Sequence, residues 1–367
     1  MRRVLLLTLD FPPRFGGVAR YLWGLAEYWR EQVSVLAPHE EGEETADKIA
    51  SFPVERIDLY FKWFWPRWLK AFFLLVKRSR NFDTLWISHV LPLGTVALLA
   101  KLFLGKRYLV FMHSMDFALA TRNGWKKMLT RTILKGAEVV VTNSRALSDR
   151  VQTFIPNLET LVIYPSVNPD FTRAAVACKQ TASARPTLLT VGRLVGRKGH
   201  HKVLDAMDRL FRGNHVANLR YLIVGTGMEY SSILKHVQKL KLEPYVDFFQ
   251  NVSHEELPNF YQAADIFVMP TENKSEDREG FGIVYHEAGL SCLPVIGSKL
   301  PGVDEAVIHG ETGILVEAGN IDQLAAAIKY LVENEPARRQ LGEAGNKRIL
   351  AEFTVEAQAE KLRPFMI

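Results

Sequence analysis

Short apolar, β-branched runs alternate along the chain with longer stretches of helical spacing. "RRVLLLTL" (2–9), "QVSVLAP" (32–38), "TLWIS" (84–88), "RYLVFMH" (107–113) and "EVVVTNS" (138–144) make a first series. "TLLTVGRL" (187–194), "LRYLIVGTG" (219–227), "VDFFQ" (246–250), "DIFVMP" (265–270) and "LPVIGS" (293–298) make a second. Strands interleaved with helices predict parallel sheets covered on both faces. Two series predict an α/β protein of two doubly wound domains. Between them, "YPSVNPDFTRAAVACKQTASARPT" (164–187) has no clear period and is predicted to link them. The expected units are 1–168, 169–352 and a terminal segment, 353–367. No solenoid period and no low-complexity tract is visible.

Composition narrows the class. A chain of 367 residues suits two domains better than one small core. The opening "MRRVLLLTLDFPP" is apolar only until Asp10 and two prolines, so it predicts a buried first strand rather than a signal peptide. "VLPLGTVALLAKLFL" (90–104) comes nearest to a membrane span, but Lys101 interrupts it and a buried helix is expected. Cys178 and Cys292 give neither a disulfide framework nor metal-ligand spacing, which fits a reducing cytoplasm. The net charge of +6 is unevenly spread: residues 60–135 hold 14 basic against 2 acidic side chains. Such a field attracts nucleic acid, anionic lipid or phosphorylated substrates.

Ligands of doubly wound sheets bind beyond the carboxyl ends of the strands, and two such domains facing each other would make a cleft. Four stretches carry chemistry suited to those ends. In "EGFGIVYHEA" (279–288) the two acids do not stack, because eight helical residues overshoot two turns by about 80°. Gly280 and Gly282 also place Glu279 in a loop, with a helix starting near Gly282 or Ile283 and carrying Glu287. Amides at a helix start favour anions, and carboxylates accept from hydroxyls, so a diphosphate flanked by sugar rings would suit. In "VGRLVGRKGH" (191–200), Arg193 and Lys198 could neutralise a diphosphate. In "FPPRFGGVARYLWGLA" (11–26), Gly16 and Gly17 offer bare amides at another helix start. In "FMHSMD" (111–116), His113 stands at a strand end, with Asp116 three residues on. Each stretch alone also fits an ordinary loop or cap: a solvated Glu287, a basic loop, a glycine pair, a structural histidine.

Together these pieces resemble the retaining glycosyltransferases of family 4, which have the GT-B fold of two Rossmann-like domains facing across a cleft. The resemblance covers nearly the whole chain, through "PGVDEAVIHGETGILV" (301–316). It implies transfer of a sugar from a nucleotide-diphosphate donor held mostly by the second domain to an acceptor held by the first. It gives Glu287 the ribose hydroxyls, Glu279 the donor sugar, and Arg193 and Lys198 the diphosphate. It sets Gly17 against the phosphates with Gly16 supporting the turn, and gives His113 a bond to the donor sugar. The amides of Phe281, Gly282 and Ile283 would contact sugar or phosphate. The family works without a bound metal, and no Asp-x-Asp motif is present. "GRLVGRKG" and "REGFGIVYHEA" are most similar to members that use GDP-mannose, notably relatives of phosphatidylinositol mannosyltransferases. A UDP-hexose or UDP-N-acetylhexosamine remains the second donor class.

"YFKWFWPRWLKAFFLLVKRSR" (60–80) and "TRNGWKKMLTR" (121–131) mix aromatic and basic residues, as the surface of an anionic membrane requires. Trp63, Trp65, Arg67, Trp68, Lys70, Lys77, Arg78, Lys126 and Lys127 are the candidates for contact with membrane or acceptor. A core helix with solvated lysines is the plain alternative. The expectation is a cytoplasmic enzyme, peripheral on the inner face of a membrane, acting on a lipid-linked or glycan acceptor. A nicotinamide oxidoreductase would need G-x-G-x-x-G, which "VGTGME" (224–229) does not complete. Nucleic acid is not expected, because no binding motif accompanies the charge. A non-catalytic nucleotide-sugar-binding protein is the alternative outside the enzymes.

Overall fold

The structure is a computed structural model that describes residues 2–13, 16–167, 178, 185–213, 216, 218–253, 255–272 and 281–367. The chain divides into two compact units, one of residues 1–168 with 355–367 and one of residues 169–354. Each is built on one parallel sheet.

The first sheet has the order β3-β2-β1-β4-β5-β6-β7. Its strands are β1 (Val4–Leu7), β2 (Val33–Ala37), β3 (Val54–Arg56), β4 (Thr84–Ile87), β5 (Arg107–Met112), β6 (Val139–Thr142) and β7 (Thr160–Val162). The second has the order β10-β9-β8-β11-β12-β13. Its strands are β8 (Thr187–Val191), β9 (Arg220–Val224), β10 (Val246–Phe249), β11 (Ile266–Met269), β12 (Val295–Ser298) and β13 (Gly313–Val316). Strand order reverses between β1 and β4, and between β8 and β11. These are the switch points where the loops above a doubly wound sheet part.

The apolar runs form strands because both faces are covered. Leu5, Leu7, Leu85, Ile87, Tyr108 and Val110 pack with the helices Leu69–Arg78, Leu93–Leu104 and Gly124–Gly136. Val4, Leu6, Trp86, Leu109 and Phe111 pack against the opposite layer, which includes Tyr21, Leu22 and Trp29. The sequence pattern did not mark β3, β7 or β13. The edge strands β3 and β7 are three residues long and only half-buried or exposed, so they carry little apolar signal.

The C-terminal residues belong to the first unit. Ala359, Leu362 and Met366 lie in its core. Trp29 Nε1 donates to the Ala359 carbonyl at 3.1 Å, and Tyr164 N donates to Gln358 Oε1 at 2.8 Å.

Cys178 and Cys292 form a disulfide, which corrects the expectation of no disulfide framework. The residues are 114 apart in sequence, so spacing gave no sign of the pair, yet their Cα atoms stand 5.3 Å apart, within disulfide range. The cysteines therefore no longer argue for a reducing compartment. Among the described residues no helix is long and apolar enough to cross a membrane.

Leu362 tests the docking of the C-terminal segment. Leu362→Ala removes a fully buried side chain and is expected to cost about 2–5 kcal/mol. Urea unfolding followed by tryptophan fluorescence measures it. A loss under about 0.5 kcal/mol, the range of ordinary surface changes, would mean that the segment does not stabilise the first unit.

Candidate active site

In the second unit, the loop after β8 is held by backbone bonds. Gly192 N donates to the Val224 carbonyl at 3.0 Å, and Leu194 N to the Thr226 carbonyl at 2.8 Å. A Cβ on Gly225 would lie 2.0 Å from the Gly192 carbonyl oxygen, and one on Gly227 would lie 2.3 Å from that of Leu194. The glycines of "VGTGME" are thus needed for packing against this loop, which accounts for them without a dinucleotide. A single 3-10 turn, Gly196–Lys198, leads to Gly199 at φ +78° and then to the helix His200–Arg212. A Cβ on Gly199 would meet the Pro270 carbonyl oxygen at 2.2 Å, so this turn is pressed onto the end of β11.

That arrangement sorts the basic side chains. Arg193 is exposed, whereas Arg197 and Lys198 are buried. The Lys198 side chain passes Gly192, with Cε 3.6 Å from where a Cβ would be. A cation in such a place is less screened by water than a surface lysine and acts more strongly on a bound anion.

The helix Ile283–Leu290 begins after Gly282, as the sequence predicts. Phe281 is buried against His286 and Phe353, at ring distances of 4.6 and 5.9 Å. Glu287 is 3% exposed, and its Oε2 accepts from the Tyr261 hydroxyl at 2.7 Å. Tyr261 was not anticipated; it lies 26 residues upstream on the helix Leu257–Ala263, and only the fold joins the two. Glu279 lies outside the described residues.

In the first unit, Gly16 caps the helix Gly17–Tyr28. A Cβ on Gly16 or Gly17 would meet nothing within 4 Å, so both face open space. His113 follows β5 and is only 8% exposed, edge-on to Tyr21 with ring centres 6.0 Å apart. Its Nε2 is buried without a hydrogen-bond partner among the described residues. Burial pushes its pKa down to about 3; His89 adds to the effect and Asp10 opposes it.

His89 was not anticipated. It follows β4, with Nδ1 2.7 Å from Ser88 Oγ and Nε2 3.4 Å from Asp10 Oδ2. Asp116 Oδ2 accepts from Val90 N at 2.9 Å. Burial pushes its carboxyl up to about 6, against the pull of His89. The carboxyl ends of β1, β4 and β5 therefore gather two acids and two imidazoles. Among the described residues no group of three or more His, Cys, Asp or Glu could hold a metal ion.

The surface candidates divide. Trp63, Trp65, Arg67, Lys77 and Lys127 are exposed, and Lys70 and Lys126 are half-buried. Trp68 instead packs against the core, and Arg78 is bound to Glu55, with Nε 2.9 Å from Oε2. Leu102, Phe103, Trp125 and Met128 add exposed apolar area that the sequence did not single out.

Two family models match the chain. "Glycosyltransferase Family 4" covers residues 15–171, and "Glycosyl transferases group 1" covers residues 177–348. A GDP-mannose-dependent alpha-(1-6)-phosphatidylinositol monomannoside mannosyltransferase of Mycobacterium tuberculosis is 29% identical over 100% of this chain and 98% of its own. A GDP-mannose-dependent monoacylated alpha-(1-6)-phosphatidylinositol monomannoside mannosyltransferase of Corynebacterium glutamicum is 29% identical over 98% and 97%. A glycosyltransferase from Rickettsia africae has the same fold with a TM-score of 0.82 at 19% identity, covering 100% and 98%. HepE of Anabaena, solved in complex with UDP and glucose, has a TM-score of 0.79 at 18%, covering 100% and 99%.

Burial also pushes His200 down to about 3, with Lys198 and His201 adding to it. Both His113 and His200 lie below the unfolded value of about 6.5, so between these limits the unfolded chain binds more protons. Stability present above pH 6.5 is therefore expected to fall as the pH drops toward 3. Histidine NMR should show two imidazoles that do not titrate between pH 8 and 5. Ordinary titration of all ten histidines near pH 6.5 would refute the burial argument.

Proposed function

The chain is a GT-B glycosyltransferase that joins a family 4 domain to a group 1 domain, and from that premise we propose that it moves mannose from GDP-mannose to a phosphatidylinositol-linked acceptor. The observation that carries this reading is end-to-end similarity to two enzymes named for that donor and that lipid class. The solved neighbours support the fold alone, since both are under 25% identical.

Arg193 and Lys198 hold the diphosphate. As the bond from mannose C1 to the phosphate oxygen breaks, its electron pair leaves with GDP. The buried Lys198 and the forked Arg193 offset that charge, in the place a divalent cation could take. The acceptor oxygen bonds to C1 on the face GDP vacates, so the configuration is retained. Its proton passes to the departing phosphate. Glu287 accepts from the ribose hydroxyls, and Tyr261 fixes the carboxylate with a charge-assisted bond worth about 1.5–3 kcal/mol. The amides of Phe281, Gly282 and Ile283 lie at the start of the Glu287 helix, where a phosphate or sugar oxygen is favoured. Glu279 is assigned to the donor sugar by family resemblance.

The acceptor lipid is met at a membrane surface. The helices Leu69–Arg78, Leu93–Leu104 and Gly124–Gly136 are neighbours on one face of the first sheet. From this layer and the loop before it project Trp63 at 98% exposure, Trp65 at 85% and Phe103 at 72%, among Lys62, Arg67, Lys77 and Lys127. Aromatic side chains interleaved with cations suit an anionic lipid interface.

Thermal shift with GDP-mannose, UDP-glucose, UDP-galactose and UDP-N-acetylglucosamine, each with EDTA, tests the donor. GDP-mannose alone should stabilise the protein, and Lys198→Ala should reduce the shift. Stabilisation by a UDP-sugar instead would replace the donor. No response from folded protein would leave a binding or rarer-donor role and remove the reading. The membrane is tested separately by flotation with phosphatidylinositol-containing vesicles. Binding should fall about tenfold or more in Trp63→Ala/Trp65→Ala/Lys77→Glu, since two interfacial aromatic anchors and one cation are lost. Equal binding by this variant would refute the footprint.

A further inference from the structure

The family resemblance gives His113 to the donor sugar but leaves its neighbours without a role. Asp10 follows β1 and His89 follows β4, so the two residues straddle the point where strand order reverses in the first sheet. Loops part there, and ligands of such sheets settle there. His89 Nε2 and Asp10 Oδ2 are 3.4 Å apart, beyond the usual hydrogen-bond range. Their side chains keep 20% and 29% exposure, whereas His113 beside them is nearly closed off.

The orientation of His89 is fixed from behind. Ser88 Oγ lies 2.7 Å from Nδ1, and a hydroxyl donated there leaves the proton on Nε2, facing Asp10. The Asp10 backbone is pinned as well: Asp10 N donates to Thr8 Oγ1 at 3.1 Å, and Thr8 Oγ1 donates to the Asp10 carbonyl at 2.9 Å. On the far side, Asp116 is held by Val90 N at 2.9 Å. A donor N–H on an oriented ring and an acceptor carboxylate on a pinned backbone, both partly open, match one chemical group: a hydroxyl that accepts from Nε2 and donates to Oδ2.

We infer that Asp10 and His89 form the subsite that binds and orients the acceptor through a hydroxyl neighbouring the reacting one, on a ring or chain carrying several hydroxyls. This deepens the proposed function and rests on it. Asp10 takes the hydrogen of that neighbouring hydroxyl and His89 donates to its oxygen, so the ring is held while the reacting hydroxyl keeps its own hydrogen for the departing phosphate. Neither residue belongs to the donor-holding loop. A tie that merely braced β1 against β4 would gain little from these side chains, since the two strands are already paired from Val4–Thr84 to Leu7–Ile87.

The test compares two reactions of the full chain: GDP release from GDP-mannose without acceptor, and transfer to phosphatidylinositol in vesicles. Asp10→Asn keeps the shape and removes the carboxylate; His89→Ala removes the imidazole; His89→Asn restores a side-chain N–H. Both positions are partly open, so the variants should fold, which unchanged melting temperatures check. The expected result is GDP release within about twofold of the parent, with transfer reduced about 10- to 100-fold through a higher acceptor KM. His89→Asn should recover part of the loss. Transfer at the parent level in both single variants would overturn the inference. So would an equal fall in GDP release and transfer, which would assign the pair to the donor step. If the parent neither releases GDP nor transfers, the function proposed above fails instead. The pair is then probed by labelled-histidine NMR: a His89 shift on adding glycerophosphoinositol upholds it, and no shift refutes it.

Discussion

A parallel sheet covered on both faces has no open face on which to build a site. Its ladders consume the backbone donors and acceptors, and its faces are filled by aliphatic and aromatic side chains. Only the strand ends remain, and chain direction places all carboxyl ends on one edge. Both units follow that constraint. Gly16, Gly17, Asp10, His89 and His113 lie beyond β1, β4 and β5, while Arg193, Lys198 and Glu287 lie beyond β8 and β11. The polar side chains at those edges stand on short loops tied to rigid strands, which limits how far they can move.

Tight packing beneath those loops sets what the exposed atoms can be. Gly199 touches the Pro270 carbonyl, and Gly225 touches that of Gly192; an added methyl would overlap backbone in either place. The loop after β8 is thereby pressed down until Lys198 is buried while Arg193 stays outside. Two cations five residues apart thus enter different dielectrics. The buried one is less screened by water, and the exposed one keeps more freedom to move. The same compression explains why "VGTGME" looks like part of a nucleotide fingerprint.

Much of this was legible from the residues. The long apolar runs announced ten of the thirteen strands among the described residues, and Gly–basic–helix punctuation marked the turn that leads from β8 into the helix His200–Arg212. The remainder depended on contacts between distant positions. Tyr261 is one tyrosine among eleven until it meets Glu287, and His89 is one of ten histidines until β4 sets it beside Asp10. The Cys178–Cys292 bond spans 114 residues and has no local signature. Arg78 and Trp68 erred in the other direction. They sit in a basic, aromatic stretch, but helical phase turns one toward Glu55 and the other toward the core. A periodicity of 3.6 broken by Pro66 is too short to settle which side chains face out.

Salt should separate the two electrostatic tasks assigned to this chain. At physiological ionic strength the screening length is about 8 Å, so an exposed lysine attracts a lipid surface only weakly as salt rises. Lys62, Lys77 and Lys127 are of that kind. Lys198 is not: protein replaces the water and ions around it, so its attraction for an anion beside it would survive where theirs fades. The aromatic side chains among the exposed cations are then more than additions to charge. On the proposed function, Trp63 and Trp65 would bind by leaving water, a contribution that salt does not weaken. On the same proposal, a basic surface without them would release the membrane under conditions in which Lys198 still holds the donor.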